Sequence, residues 1–288
     1  MQTLGKLKEK DQPFFLAVGF ANPHLPFNSP KKYWDLYDRE KITLASNRFH
    51  PKNAYEGALA GSGEIRVYEG IPRNGSIPDD QALELRHGYY AAVSFIDACV
   101  GRVLDELDRL GLADNTIVVL WGDHGWKLGE HDEWCKHSNV HLDTNSPLLI
   151  RAPGQKSAGT PSKALTEFVD LYPTLCDLAG LEKPAHLEGD SLAPLLNTPD
   201  LPWKRAAFSQ YPRKHNMGYS LTTGDYRYTV WVDGQDHDKI LFTELYDHQK
   251  DPQENENVAP NPAYTETINK LEHLRQQGWK GTRQALAN

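Results

Sequence analysis

The sequence has few cysteines, no long apolar run and no excess of basic residues. Its 288 residues include three cysteines, and none of them has the paired spacing of a zinc site or of a disulfide framework. We find no stretch of about 18 or more apolar residues, which is the length that a membrane span requires. The net charge is −8, whereas nucleic-acid-binding surfaces are normally basic. We therefore expect neither a membrane span nor a nucleic-acid partner.

The N-terminus also lacks the apolar core of a signal peptide. Residues 1–12, “MQTLGKLKEKDQ”, have the pattern of the last turns of a helix, with Leu4 and Leu7 on one side. A domain that begins inside a helix is expected to have a preceding segment. The compartment is left open by these observations.

The central part of the chain alternates apolar runs with amphipathic segments. Continuous apolar runs, typical of buried parallel strands, occupy residues 13–20, 115–121 and 146–153. Apolar residues at three- and four-residue steps predict helices over 81–110 and 166–180. This alternation predicts an α/β fold with a mostly parallel sheet flanked by helices.

The pattern changes near Trp203. Short aromatic and β-branched segments follow, and Gly224 and Asp225 separate two of them, which is typical of a hairpin. The last segment, from residue 263 to 279, has the pattern of an amphipathic helix. We predict a large domain over residues 1–202 and a small antiparallel-sheet subdomain over 203–288.

Polar residues follow two of the predicted strands. Asp123 and His124 come directly after the run at 115–121, and His24 follows the run at 13–20. Ligands in open α/β sheets bind beyond the carboxyl ends of the strands, and this predicts a site here. Taken alone, an Asp-His pair is more often a turn or cap, and His24 is more often structural. The sequence leaves these alternatives open.

Two further sets of charged residues can be interpreted either as functional or as structural. Lys136 lies in the loop that Asp123 and His124 begin, where it suits a bound oxyanion, although a single lysine is more often a solvated surface charge. Asp79 and Asp80 could be paired metal ligands. Because they precede the predicted helix at 81–110, we interpret them as its N-cap.

Five segments in chain order form the most specific pattern of the sequence. They are “FFLAVGFANPHLPF”, “YYAAVSFIDACVGRVLDELDRLGLADNTIVVLWGDHGWKLGEHDEWCKHS”, “DLYPTLCDLAGL”, “SQYPR” and “MGYSLTTGDYRYTVWV”. Together they resemble the sulfatase family, and most closely its iduronate-2-sulfatase branch. The resemblance implies an alkaline phosphatase-like fold and the hydrolysis of sulfate esters on uronate-containing or related glycosaminoglycan sugars. It also implies a lysosomal, periplasmic or secreted location.

The resemblance assigns roles to individual residues. It implies that Asp123 and His124 help to hold one divalent cation, usually Ca²⁺, with His124 the weaker or orienting contact because Ca²⁺ prefers oxygen ligands. Lys136 and His24 match the basic residues that grip the sulfate oxygens and assist the leaving group, so they are candidate catalytic and substrate-binding residues. Trp126 matches a residue that lines the sugar pocket.

One part of the family pattern is absent. Sulfatases act through a formylglycine made within a Cys-x-Pro-Ser-Arg motif, and neither Cys99, Cys135 nor Cys176 has that context. The early Asp-Asp pair of the family is absent too. Both belong to an N-terminal region, so we expect the chain to need a missing N-terminal segment and to be inactive alone.

Two other functions stay open. A phosphodiesterase or phosphomutase of the same superfamily would use two transition metals and a Ser or Thr nucleophile, although “NPHLPF” and “GEHDEWCKHS” favour the sulfatase. A non-catalytic remnant would bind sulfated glycans without turnover. The sulfatase and the remnant hypotheses predict a sulfated saccharide as the partner.

Overall fold

The computed structural model describes residues 1–10 and 12–283, and it divides the chain into two compact units. The first unit comprises Met1–Ser46, Ser62–Thr116 and Leu128–Glu130, and the second comprises Asn47–Gly61, Ile117–Lys127 and the residues from His131 onward. The boundary predicted near residue 203 lies inside the second unit, where it stays a prediction about a finer division. Residues 284–288 of the predicted subdomain lie outside the described residues.

The described residues form short helices, one long helix and small sheets. The helices are α1 (Gln2–Glu9), α2 (Lys31–Trp34), α3 (Asp79–Arg109), α4 (His141–Thr144), α5 (Leu171–Leu178) and α6 (Thr265–Gly281). The strands are β1 (Val118–Trp121), β2 (Lys127–Leu128), β3 (Trp134–Cys135), β4 (Leu148–Arg151), β5 (Ala207–Arg213), β6 (Asn216–Thr222), β7 (Tyr226–Asp233) and β8 (Ile240–Asp247). Among these described helices, none combines the length and apolarity of a bilayer crossing.

The first unit is built around α3, which confirms the predicted helix at 81–110. Helix α2 packs on it, and the ring of Trp34 stacks on His87 with centroids 3.8 Å apart. The predicted cap is wrong in detail. Pro78 occupies the N-cap position, and Asp79 and Asp80 lie in the first turn, where their negative charge favours the positive end of the helix dipole.

The expected strand at residues 13–20 is not formed. This segment has no strand conformation, and Phe15 is 83% exposed. A strand needs a neighbour that accepts and donates backbone hydrogen bonds, and no other described segment forms a ladder with these residues. Its apolar pattern therefore does not produce a buried strand within the described residues.

The two other predicted central strands are confirmed as β1 and β4, in shorter form. They pair with each other antiparallel, with Val118 opposite Arg151 and Trp121 opposite Leu148. The ladder of β1 with β4 and the three ladders from β5 to β8 are antiparallel, and a single parallel bridge joins Lys52 to Glu256 outside the named strands. These ladders do not form the mostly parallel sheet that we expected. Continuous apolar runs indicate burial on both faces, and they do not specify strand direction.

The C-terminal antiparallel sheet is confirmed. Its four strands run in the order β5, β6, β7 and β8, and the predicted turn at Gly224 and Asp225 joins β6 to β7. One face packs against α6, whose Leu271 and Leu274 contact a buried apolar cluster that includes Val230. The alternating pattern of each strand thus places its apolar residues under the amphipathic helix.

An ion pair lies fully inside the second unit. Arg227 donates from Nε and Nη2 to the two oxygens of Glu254, at 2.7 and 2.8 Å. Glu254 also accepts from the backbone N–H of His141 and from His248 Nε2. Burial opposes ionisation of Glu254, but the positive charge of Arg227 outweighs it, and the pKa of the carboxyl lies far below its ordinary value.

His131 is the opposite case, a buried group without a partner. Its side chain is fully buried beside Glu254 in a small cavity, and neither ring nitrogen has a hydrogen-bond partner among the described residues. Burial lowers the pKa of His131 because the charged ring would lose its hydration. Burial therefore favours the neutral ring over the charged ring in the folded unit.

This lowered pKa predicts acid sensitivity. In the unfolded chain His131 has the ordinary histidine pKa of about 6.5, and in the folded chain its pKa is lower. The free energy of unfolding therefore loses nothing through this group above about pH 6.5 and falls as the pH drops below that value. The slope has an upper limit of about 1.4 kcal/mol per pH unit for one group. Urea unfolding at pH 7.5 and 5.5 should show a smaller pH effect in His131→Gln than in the wild type. The exposed His273→Gln should keep the wild-type difference, and equal slopes in all three proteins would contradict the argument.

The core under α6 yields a second prediction. Leu245 is fully buried in β8, whereas Leu241 of the same strand is 41% exposed. Leu245→Ala should lower the free energy of unfolding by about 2–5 kcal/mol, because it removes buried methyl groups and leaves a cavity. Leu241→Ala should change it by less than about 0.5 kcal/mol in the same denaturation experiment. Similar losses in both variants would place the core elsewhere.

Candidate functional site

The candidate site begins where β1 ends. Gly122 closes the strand, because its N–H donates to Pro147 O at 3.0 Å and its carbonyl accepts from Ser146 Oγ at 2.8 Å. These two bonds fasten the start of the loop to the residues that precede β4. Asp123 and His124 are consequently presented at the end of the small sheet.

Gly125 brings α4 against this loop. Its N–H donates to Asp143 O at 2.8 Å, and a Cβ at this position would lie 1.8 Å from Leu142 O. No side chain fits into such a gap. The glycine therefore allows a close backbone approach between this loop and α4.

The orientation of His124 follows from one hydrogen bond. Its Nδ1 lies 2.8 Å from Gly125 O, and a carbonyl can only accept, so Nδ1 carries the proton. In the neutral ring, Nε2 then holds the lone pair, and it lies 3.6 Å from Asp123 Oδ2. A carboxylate and an unprotonated imidazole nitrogen thus point to the same region.

These two side chains fit part of a cation site. The Asp123 carboxylate is 85% exposed and His124 Nε2 lies beside it, so both can reach a bound ion. Ca²⁺ takes six to eight oxygen ligands, however, and the described residues contain no group of three or more His, Cys, Asp or Glu placed to hold a metal. Within the described residues, this pair offers part of a coordination shell and not a full one.

Trp126 and Lys136 lie next to this pair. The Trp126 ring stacks beside His124 with centroids 5.8 Å apart, and Lys136 Nζ lies 4.7 Å from the centre of the indole. A cation over the face of tryptophan is attracted by its electron-rich ring. The structure thus brings four predicted residues, Asp123, His124, Trp126 and Lys136, together in the second unit.

The segment that presents Lys136 has an unusual backbone. Cys135 and His137, on either side, adopt φ angles of 71° and 87°. Residues other than glycine seldom adopt positive φ, and the surrounding contacts must hold them there. Cys135 is almost fully buried, which anchors one side of the segment.

His24 belongs to the first unit. Its Nε2 lies 2.7 Å from Glu64 Oε1, and its Nδ1 lies 2.9 Å from Leu25 O. Its predicted role toward sulfate stays a prediction.

One buried group was missed in the sequence. Lys127, next to Trp126, is completely buried, and its ammonium contacts Glu133 Oε2 at 2.7 Å, Asp143 Oδ2 at 2.9 Å and Ser138 Oγ at 3.2 Å. A lysine is almost never fully buried unless it is paired. Its partners lie 6, 16 and 11 residues away, a spacing that gives no local signal.

The sequence matches the family model described as “Sulfatase” over residues 1–181. The model described as “N-sulphoglucosamine sulphohydrolase, C-terminal” matches residues 129–279. Iduronate 2-sulfatase of Mus musculus is 36% identical over 90% of this chain and 60% of that protein, and the Homo sapiens enzyme is 35% identical over the same shares. The chain thus spans about 60% of the length of these relatives.

Solved structures share the fold. A phosphonate monoester hydrolase of Agrobacterium radiobacter superposes with a TM-score of 0.75 at 25% identity, over 96% of this chain and 59% of that one. A protein solved with its substrate D-glucosamine-2-N,6-O-disulfate gives 0.71 at 23% identity, over 91% of this chain and 64% of that one. The fold class inferred from the sequence is thereby confirmed at the level of the superfamily.

The close approach at Gly125 can be tested directly. In Gly125→Ala the methyl group would collide with Leu142 O, so the free energy of unfolding should fall by about 1–3 kcal/mol or more. Gly224→Ala is the matched control, because a Cβ there would meet nothing within 4 Å. Guanidinium denaturation of both variants is the measurement. An unchanged midpoint for Gly125→Ala would show that α4 does not lie against the loop.

Proposed function

The chain belongs to the sulfatase family, and on this premise we propose that it carries the cation-binding and sulfate-binding part of a site that hydrolyses sulfate esters of sugars. The observation that carries the proposal is the convergence of an acid, an imidazole, an indole and an ammonium in one loop region. His124 Nε2 lies beside the Asp123 carboxylate, and the Trp126 ring lies next to both His124 and the Lys136 ammonium.

Each side chain has a role that its chemistry supports. Asp123 and His124 would hold one divalent cation, expected to be Ca²⁺, which supplies positive charge beside the ester oxygens when bound. The Lys136 ammonium donates charge-assisted hydrogen bonds to sulfate oxygens and stabilises the negative charge that develops as the ester bond breaks. Trp126 offers an apolar face for a sugar ring. For His24, which belongs to the first unit, we propose the role that the family resemblance implies, namely assistance of the leaving group.

The substrate class that we propose is a sulfated uronate-containing or glycosaminoglycan-type sugar. The 36% identity to an iduronate 2-sulfatase supports it, as does the 34% identity to an N-acetylglucosamine-6-O-sulfatase of Bacteroides thetaiotaomicron over 67% of this chain. The attacking nucleophile is not among the residues that we assign. We propose that a formylglycine on polypeptide outside these 288 residues supplies it, and that the chain alone does not turn substrate over.

A second candidate substrate class is a phosphorus ester. The likeness to phosphonate monoester hydrolases, at 25% and 27% identity with TM-scores of 0.75 and 0.71, favours it. A phosphate monoester carries about two negative charges near neutral pH, whereas a sulfate monoester and a phosphonate monoester each carry one. A site with few cations therefore suits the sulfate ester better than a phosphate monoester, and charge alone does not separate it from a phosphonate monoester.

Binding of a sulfated disaccharide to this chain tests the proposal without turnover. We would titrate a 2-O-sulfated, uronate-containing disaccharide by calorimetry with CaCl₂ present. Lys136→Met should weaken binding about tenfold or more, because a hydrogen bond to a charged group is worth about 1.5–3 kcal/mol. Lys239→Met, in the exposed turn before β8, is the control and should leave the affinity unchanged.

The ligand series separates the candidates. The desulfated disaccharide should bind at least tenfold more weakly, and phenylphosphonate should not compete. Tighter binding of phenylphosphonate would favour the phosphorus ester. Equal binding of the sulfated and desulfated sugars, or no effect of Lys136→Met, would overturn the sulfate-binding role.

A further inference from the structure

A buried ionic cluster lies behind the candidate site. It consists of Lys127, Glu133, Asp143 and Ser138, all buried in the second unit. Lys127 Nζ donates to each of the other three, and Ser138 Oγ donates to Asp143 Oδ2 at 2.5 Å. Glu133 Oε1 additionally accepts from Gly61 N at 2.6 Å. Every member is thus tied to at least one other segment of the chain.

On one side, the cluster is connected to Asp123 and His124, the proposed cation-binding pair. Lys127 follows Trp126 in the chain, and its partner Asp143 lies in α4. The backbone carbonyl of Asp143 accepts from Gly125 N, next to His124. Asp143 therefore holds the loop of Asp123 and His124 twice, through its carbonyl and through its side chain.

On the other side, the cluster is connected to Lys136. Ser138 lies two residues beyond it, and its hydroxyl contacts both Lys127 and Asp143 while it also accepts from Val140 N. Between Lys136 and Ser138 stands His137, whose φ of 87° is costly for a residue with a side chain. A fixed Ser138 keeps the backbone in this conformation, and with it the position of Lys136 over the indole.

Stability alone does not account for such a cluster. Removing charges from water costs several kcal/mol per ion, and well-packed apolar residues of similar size often stabilise a core as much or more. The cluster also holds two carboxyl groups for one ammonium, and burial raises the pKa of Asp143. The ionic bonds fix how the segments are oriented toward one another, because they link three segments at defined atoms.

We propose that Lys127 is a positioning residue, which fixes Trp126 and His124 on one side and Lys136 on the other in a single geometry through Asp143 and Ser138. The assignment deepens the proposed function and rests on it for its catalytic meaning. The geometric part does not need sulfate or turnover to be tested.

The second unit contains a matched control cluster. Lys204, 6% exposed, contacts Glu167 Oε2 at 2.8 Å and the two oxygens of Asp170 at 2.6 and 2.8 Å. It is likewise one lysine between two acids, but its hydrogen bonds lead to the segment before α5 and not to the residues around Trp126 or Lys136. Its loss should cost stability without changing the candidate site.

The position of Lys136 over Trp126 has a spectroscopic signature. The indole ring current shifts the Lys136 ε-methylene protons upfield, and a 5-fluorotryptophan at position 126 reports the same environment by ¹⁹F NMR. Lys136→Arg and Trp126→Phe assign the two resonances. We would compare the wild type with Lys127→Met/Glu133→Gln/Asp143→Asn, in which the cluster is neutral, and with Lys204→Met/Glu167→Gln/Asp170→Asn.

In the Lys127 variant the Lys136 methylene shift should move to the value of a free lysine and the ¹⁹F line should shift, while in the Lys204 variant both should stay. Asp143→Ala, which leaves a balanced Lys127–Glu133 pair, should produce the same loss if the triple variant does not fold. Unchanged signals in a folded Lys127 variant or in Asp143→Ala would overturn the proposal, as would equal changes in the Lys204 variant. A lost signature together with intact disaccharide binding would refute the sulfate role of Lys136 and leave the positioning role standing.

Discussion

The bidentate bond between Arg227 and Glu254 is the interaction on which the second unit depends. Arg227 lies in β7, at the centre of the four-stranded sheet, and Glu254 lies in the segment that follows β8. Glu254 also accepts from the N–H of His141, the first residue of α4, at 3.1 Å. Because α4 carries Asp143, a continuous path of hydrogen bonds runs from the sheet to the loop of His124.

Buried charges lie on this path and beside it. Arg227, Glu254, Lys127 and Glu133 are all buried, and each has an oppositely charged partner within hydrogen-bond distance. A buried charge that loses its partner costs about 3–5 kcal/mol, so these pairs cannot rearrange singly. His131, buried among them, has a pKa that burial lowers. Directed ion pairs thus hold the loops of the unit together with its apolar packing.

The buried residues described above fix the orientation of some side chains of the candidate site. Asp123 is exposed and could adopt many rotamers, whereas His124 is oriented by Gly125 O, and Lys136 is held between two residues of positive φ. Under the proposed function, these side chains would bind a cation and an anion side by side. Such an arrangement suits an ester whose leaving oxygen and sulfate oxygens need charge stabilisation at the same time.

Much of this could be inferred from residue order. Helix α3, the hairpin at Gly224, helix α6 and the grouping of Asp123, His124, Trp126 and Lys136 follow from local periodicity, turn chemistry and colinear motifs, because these signals act over a few residues. The pairing of β1 with β4 antiparallel, the exposure of residues 13–20 and the burial of Lys127 do not, because each depends on which distant segment lies alongside. Lys127 shows the difference. Its neighbours in the sequence give no indication that it is buried, and only the carboxylates of Glu133 and Asp143, which folding brings to it, make its burial possible.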